Sequence, residues 1–422
     1  MDISGVMPVS FGSALRSRRT EMGVSLGSLA RMVNYSKSHL SRVETGNKSP
    51  TVGLARRCDD VLKAEGTLVR LAAEAPRRSA RTAQVPAQLP RVVKDFSGRR
   101  QELDALDLAL TETCDGEEGR SAVVLLDGPM GVGKTATALH WGHRVAGHFA
   151  DGTLFADLGG FGPADRPASP RKVLRGFLAS LGFPWKTLSG DVQQLSAQFR
   201  TALSGKRLLI VLDNAADPEQ VRPLLPAGPG CLALVTSRNR MPGLVIRDGA
   251  RRVTLSAMTA EESRALLEAV SGGAFGETTI ERLAEIGCRL PLPMRTAAAR
   301  HLAFGADRPV EWCDSTSLLS SLSVSGDRAD ALSELLGWSY RSLGPEPARA
   351  FRLLGTGAAA RFTAWDAALL LGTGTSEAER LLRELADVHL VEREGGAFAF
   401  DPILRAFAVE CSRSAEPERT RL

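Results

Sequence analysis

The sequence has no uninterrupted apolar stretch approaching the roughly 20 residues that a membrane-spanning helix requires. Its start, MDISGVMPVS, lacks the basic-then-apolar layout of a secretory signal. These two absences predict a cytoplasmic protein with no membrane partner. The six cysteines (Cys58, Cys114, Cys231, Cys288, Cys313 and Cys411) are scattered without a CxxC pair, which argues against a zinc cage and a dense disulfide frame. Most are expected to be reduced core residues.

Composition points to folded domains. At 43% hydrophobic and 24% charged, the chain falls within the range of soluble globular proteins, neither disordered nor fibrous. Its 422 residues allow about three domains at ~150 residues each. The formal charge of +5 is unevenly spread: residues 11–72 hold 11 basic and 5 acidic side chains, a net of +6. Residues 73–94 add 5 basic residues against Glu74, and residues 95–422 stand at −4. A basic head on a slightly acidic body predicts a polyanion partner for the head, since counterion release on phosphate binding needs clustered Lys and Arg.

Within the head, VSLGSLARMV (24–33) places Leu26, Leu29, Ala30 and Val33 on one helical face, with Ser25 as a candidate N-cap. Asn34-Tyr35 makes a tight connection in which Asn tolerates a left-handed turn, and Ser36 can cap a second helix that buries Leu40 and Val43. Gly46 is expected to end that helix, and Pro50-Thr51 to open another that buries Leu54, Cys58, Val61 and Leu62. Over about residues 11–72 the chain resembles the phage-repressor-type (XRE) helix-turn-helix, carried by SLGSLARMVNYSKSHLSRVETGNKSPT. The resemblance implies that the second helix enters the major groove of double-stranded DNA. Lys37, Ser38 and Arg42 are then the base-contact candidates, Ser25, Ser36 and Ser41 the phosphate-contact candidates, and His39 a weaker one. For the serines, a capping role without DNA is the competing reading. A solvent-facing side chain is the competing reading for His39, and a protein-docking module for the head as a whole.

Residues 73–92 are rich in Ala, Pro and Arg without a helical or strand period, and read as a linker. Next, AVVLLD (122–127) suits a buried strand leading into GPMGVGKT (128–135), a complete GxxxxGK[ST] pattern. Gly128, Gly131 and Gly133, with Val132 and Ala136, would wrap main chain around phosphates; Lys134 would reach the β and γ phosphates, and Thr135 would hold Mg²⁺. A second apolar run, LLIVL (208–212), ends in Asp213, a carboxylate candidate for the Mg²⁺ shell. The following residue is Asn214, so no acid adjacent in sequence orients a water, and hydrolysis is expected to be slow or absent. CLALVTSR ends at Arg238, positioned to sense a γ-phosphate.

The order of these pieces resembles the NB-ARC class of signal-transduction NTPases, over about residues 95–411. More narrowly, DFSGRRQELDAL, LFADLGGFGP, LLIVLDNAADPEQVRPLLP, LVTSRNR and CRLPLPMRTAAARHL look like versions found in regulators of secondary metabolism from high-GC bacteria, as do 45 Arg against 8 Lys. That resemblance implies an ATP or ADP site with Phe96, Gly98 and Arg99 at the adenine and ribose edge and Pro291 over the base. It also implies a regulator acting on biosynthetic genes and likeness to proteins that self-associate.

Downstream, TAEESRALLEAV carries a capped amphipathic helix, and SEAERLLRELADVHL opens with a Ser376/Glu379 capping-box pattern that buries Leu381, Leu382, Leu385 and Val388. LVEREGGAFAF reads as a hairpin turning at Gly395-Gly396. The expected architecture is multidomain α and α/β. An all-α head (1–72) and linker (73–92) precede a parallel-sheet P-loop core (93–257), a small helical domain (258–329) and a winged-helix domain (330–422). The resemblance implies a His-Asp lock on ADP just after the hairpin, where this chain has Asp401 and Pro402; weakened ADP retention is therefore expected. No repeat with a period of 20–50 residues follows, so the sensor is either absent or a separate protein. The alternative function is an NTPase that assembles into oligomers, with the head docking protein.

Overall fold

A computed structural model describes residues 11–45, 50–74, 85–115, 121–162, 167–304, 318–319, 332–357 and 359–415. The chain divides into two compact units, residues 1–84 and 85–422. The helix stop expected at Gly46 and half of the expected linker, residues 75–84, lie outside the described residues.

Among the described residues, the first unit is built of helices: α1 (Phe11–Glu21), α2 (Leu26–Met32), α3 (Lys37–Glu44), α4 (Val52–Leu62) and α5 (Thr67–Glu74). Its starts follow the sequence reading. Ser25 accepts from the Ser28 N–H, Ser36 from the His39 N–H and Thr51 from the Leu54 N–H, each satisfying an amide that the helix itself leaves free. Asn34 takes φ 56° in the turn. Leu15, Leu29, Leu40, Leu54, Cys58 and Leu62 close the core, with Val61 only half-buried. Arg19 clamps Glu44 with Nε at 2.7 Å and Nη2 at 3.1 Å, and so holds α1 to the end of α3.

In the second unit, β1 (Ala122–Asp127), β2 (Thr153–Asp157), β3 (Leu209–Ala215), β4 (Leu232–Ser237) and β5 (Arg251–Thr254) form a parallel sheet in the order β2-β3-β4-β1-β5. Parallel strands are covered on both faces, and alternate residues of β1 divide accordingly. Val123 and Leu125 join the cluster around Phe177, Leu195 and Phe199, from α8 (Pro170–Ser180) and α9 (Val192–Leu203). Val124 and Leu126 join Leu103, Leu106 and Trp141, from α6 (Arg100–Asp115) and α7 (Lys134–Val145). Two short helices, α10 (Pro218–Val221) and α11 (Pro242–Asp248), cap the strand ends.

The stretch read as linker is structured at both ends. Residues 73 and 74 finish α5, while 85–90 lie along the edge of β2. There Thr153 N–H donates to the Pro86 carbonyl at 2.7 Å and Gln88 N–H to the Thr153 carbonyl at 3.1 Å. Prolines obscure this edge pairing in the sequence because they supply carbonyls without N–H groups, which only an edge tolerates.

A helical layer follows: α12 (Ala260–Ser271), α13 (Glu277–Ile286) and α14 (Pro291–Phe304). The C-terminal module contains α15 (Leu332–Arg341), α16 (Pro345–Thr356), β6 (Arg361–Phe362), α17 (Ala364–Leu371), α18 (Thr375–Asp387), β7 (Glu392–Glu394), β8 (Ala397–Ala399) and α19 (Pro402–Ala415). Its strands pair antiparallel in the order β6-β8-β7, and Gly395 and Gly396 take φ 54° and 91° in the expected hairpin turn. Thr259 and Glu262 form a full capping box on α12. The Ser376/Glu379 box does not form: α18 starts two residues earlier, with Gly374 at the cap position, and Glu379 pairs with Arg383. Ser376 is thereby inside the first turn, where its hydroxyl is no longer the cap.

One continuous core joins the helical layer to the C-terminal module, with Phe351 at 0% exposure among Tyr340, Phe400 and Phe407. Phe351→Ala should cost about 3–5 kcal/mol. Urea unfolding followed by circular dichroism measures it, and a loss below about 1 kcal/mol would show that this core collapses around the void.

Candidate functional site

The GPMGVGKT segment turns from β1 into α7 with backbone angles that L side chains resist: φ is 149° at Gly128, 76° at Gly131 and 97° at Gly133. A methyl group on Gly128 would stand 2.5 Å from the Leu255 carbonyl oxygen. Gly131 approaches α14 closely, and its carbonyl accepts from the Leu292 N–H at 3.1 Å. The loop thus directs main-chain N–H groups and the start of a 12-residue helix at one point, a natural anion seat. Val132 is buried beneath it, and Ala136 lines the cavity above.

Lys134 Nζ donates to the carbonyls of Gly128 and Pro129, each at 2.8 Å. Enclosure, and then the nearby Arg238 charge, lower its pKa to about 7. Thr135 Oγ1 donates to Asp213 at 2.8 Å, and Thr236 Oγ1 reaches the same carboxylate at 2.5 Å. Burial raises the Asp213 pKa, offset in part by these two hydroxyls. A buried carboxylate that gains from a nearby positive charge, beside a hydroxyl oxygen, is a donor set that fits Mg²⁺. Among the described residues, no group of three or more His, Cys, Asp or Glu is gathered to hold a metal.

Two residues behave differently from the sequence reading. Asn214, noted for the acid it replaces, takes φ 57° and clasps the loop after β2. Its Nδ2 donates to the Phe161 carbonyl at 2.9 Å, and its Oδ1 accepts from the Phe161 N–H at 3.2 Å. A second carboxylate nevertheless stands beside Asp213: Asp157, its register partner on β2, whose charge also pushes the Asp213 pKa up. Only strand pairing reveals it, because 56 positions separate the two in the chain.

Arg238 borders the main cavity, but its Nη1 donates to the Leu335 carbonyl at 2.6 Å and to Ser339 Oγ at 3.0 Å, both on α15. Its guanidinium lies over Phe161 and Trp338 at 5.2 and 5.8 Å, and burial lowers its pKa to about 10. The residue expected to face a γ-phosphate is here engaged by the C-terminal module.

The main cavity, of about 430 Å³, runs from the loop past Asp213 and Arg238 to Pro291, Leu292 and Trp338. A narrower one of about 40 Å³ adjoins it, between Phe96, Arg99, Thr137, Met258 and Pro291. Pro291 opens α14 and lines both. Phe96 stacks on His140 at 4.1 Å. Gly98 at φ 75° passes so close to Glu262 that a Cβ would meet its carboxylate at 2.7 Å. Arg99 lines the small cavity, but its guanidinium is committed to the carbonyls of Val132 and Ser256 and to Glu102. Sequence reasoning missed Arg295, which lines both cavities and pairs with Asp95 at 2.7 Å.

Asp401 does not line the cavity. It caps α19 by accepting from the Leu404 N–H at 2.9 Å, with Pro402 as first helical residue. Carboxylate repulsion of a phosphate, the basis of the expected poor ADP retention, therefore has no counterpart here.

In the head, Lys37, Ser38, Ser41 and Arg42 are exposed along α3, and Arg42 Nε donates to the Ser38 carbonyl at 3.3 Å. Ser25 and Ser36 serve as caps. His39 is half-buried against Tyr35, with ring centroids 5.0 Å apart, instead of facing solvent.

Residues 10–72 match the family model of a helix-turn-helix domain. A Walker-type ATPase of Pyrococcus abyssi shares the fold of the second unit, with TM-score 0.51 and 15% identity over 77% of this chain and 99% of that one. Fold and loop together define a helix-turn-helix protein joined to a P-loop ATPase-type module. Among curated proteins, the regulatory protein AfsR of Streptomyces coelicolor is 36% identical over 380 residues, covering 87% of this chain and 37% of AfsR. AfsR of Streptomyces griseus is 38% identical over 345 residues, covering 80% of this chain and 34% of that protein. The chain spans about a third of the length of either relative. No helix among the described residues is long and apolar enough to cross a membrane.

A Lys pKa lowered to about 7 in the folded state means that the unfolded chain binds more protons between about pH 7 and 10.5, so this group favours folding as pH rises through that window. A polyphosphate restores the ammonium. ADP binding at pH 8 is therefore expected to take up a proton and at pH 6 almost none; calorimetry in two buffers of different ionisation enthalpy reads this directly, and equal heats at pH 8 would contradict it.

Proposed function

We propose that this chain is a DNA-binding transcription regulator whose head is controlled by ATP or ADP on the P-loop module. The observation that carries this reading is the union, in one chain, of a basic helix-turn-helix with Lys37 and Arg42 exposed and a glycine loop arranged to hold phosphate. Similarity to two regulatory proteins supports it.

In this reading the head is of the XRE type and the second unit an NB-ARC module. Gly128, Gly131, Gly133 and Lys134 hold the phosphates. Thr135 and Asp213 hold Mg²⁺, which shields charge on the β and γ phosphates. Phe96, Arg99 and Pro291 enclose the base, and the C-terminal module is a winged helix. Two features of α18 support a role for that module other than DNA binding. Arg380 is paired with Glu377, Glu384 and Glu346, and Arg383 with Glu379, so its basic groups are already neutralised.

Regulation follows if the two nucleotides favour different arrangements of the C-terminal module, because a ligand shifts an equilibrium only by its differential affinity. ATP competing with α15 for Arg238 supplies such a difference. A face for self-association is available on α17, where Trp365 is 65% and Leu369 73% exposed. Association of paired heads then raises operator affinity.

Gel-shift titration tests the reading. Wild-type protein should bind operator with affinities that differ between ATP and ADP, while Lys134→Ala should show one affinity in both. Arg42→Ala should relax base preference at the position it reads, by about 1–3 kcal/mol per base pair. Equal affinity in every nucleotide state would leave the P-loop without a regulatory role, and a nucleotide-dependent change in particle size without DNA binding would favour the assembly reading.

A further inference from the structure

The histidine that meets the phosphate loop comes from a place the sequence did not mark. His389 lies at the corner between α18 and β7, where φ is 54°, and it is only 6% exposed. Its Nε2 stands 3.1 Å from Asp127 Oδ2. Asp127 ends β1, immediately before Gly128, and has no exposed surface. Its other oxygen accepts from Thr254 Oγ1 at 2.7 Å, and its carbonyl from the Leu255 N–H at 2.8 Å. A carboxylate accepts hydrogen bonds only, so Nε2 carries the proton and donates it.

This bond crosses from the C-terminal module to the P-loop core, and two others run parallel to it. The Arg240 N–H donates to the Asp387 carbonyl at 3.0 Å, and Arg238 reaches Leu335 and Ser339. Of the three, only the His389 contact ends one residue from the carbonyl that holds Lys134. Lys134, Arg240 and Asp127 are the charges facing the imidazole. Burial, with the two cations, keeps its pKa below the usual histidine value despite Asp127, so the ring is neutral at pH 7.

We propose that His389 is a positioning residue: it clasps the C-terminal module onto Asp127 and thereby slows nucleotide release from the phosphate loop. When the module swings away, Asp127 Oδ2 loses its donor and the uncovered carboxylate competes with phosphate for the Lys134 ammonium. Closure and phosphate grip are in this way the same event. The release effect rests on the nucleotide reading above; the closure does not.

The experiment therefore has two arms on the full chain. In the first, without nucleotide, hydrogen exchange compares wild type, His389→Ala and His389→Gln. The alanine variant should exchange faster in peptides covering both 122–135 and 385–392, while head peptides covering 26–44 stay unchanged and glutamine, which places an N–H near Nε2, restores protection. In the second arm, stopped flow with a fluorescent ADP analogue chased by ADP should show release about tenfold faster in the alanine variant at a melting temperature within a few degrees of wild type, with glutamine again restoring it. Unchanged exchange at 122–135 overturns the clasp. Faster exchange there, with no binding of the analogue by wild type, keeps the closure and overturns the nucleotide reading and the gating of release. Binding with identical release rates in all three proteins overturns the gating alone.

Discussion

A single buried carboxylate at the end of a parallel strand organises the second unit. Asp213 is 7% exposed, and removing an ionised group from water is costly unless donors surround it. Thr135 at the start of α7 and Thr236 at the end of β4 both donate to it. Those two bonds tie the helix after the phosphate loop to two strands of the sheet. They fix the height at which Lys134 enters the cavity. Lys134, Asp213 and Arg238 line one cavity together, two cations against one buried carboxylate. A polyphosphate with its cation is the ligand class we propose for such a set.

Around this centre the molecule answers the demands of main-chain groups. Lys134 satisfies two loop carbonyls and Asn214 clasps the loop after β2, while Arg99 joins α6 to the carbonyls of Val132 and Ser256. Lys134 and Arg99, expected from the sequence to contact ligand, thus hold the cradle itself in shape. The C-terminal module reaches the same cradle through His389 and Arg238, so its position and the state of the phosphate seat are coupled through two side chains instead of a broad apolar interface alone.

The head follows a simpler logic. Its caps and its left-handed Asn34 are local, each following from residues within a turn or two of one another, and the helical period marks the leucines that then meet across the five helices. Lys37 and Arg42 are exposed because the inward positions of α3 belong to Leu40 and Val43. The limit of local reading appears at His39, which has two neighbours to choose from, water and Tyr35, and packs against Tyr35.

What the chain settled by itself was everything set by short range. The glycine spacing of the phosphate loop, the strand before it, the caps at Ser25, Ser36 and Thr259, the hairpin at Gly395-Gly396 and the basic head all follow from residue type and period. Contacts between distant segments were decided by the tertiary structure. Strand pairing set Asp157 beside Asp213, packing of the C-terminal module on the core set His389 against Asp127 and Arg238 against α15, and a single bridge to Thr153 seated the proline-bearing 85–90 on the sheet edge. The physical reason is that these contacts join groups 56 to 262 positions apart, and their partners are chosen by burial and unsatisfied polar atoms that exist only once the sheet and its covering helices have formed.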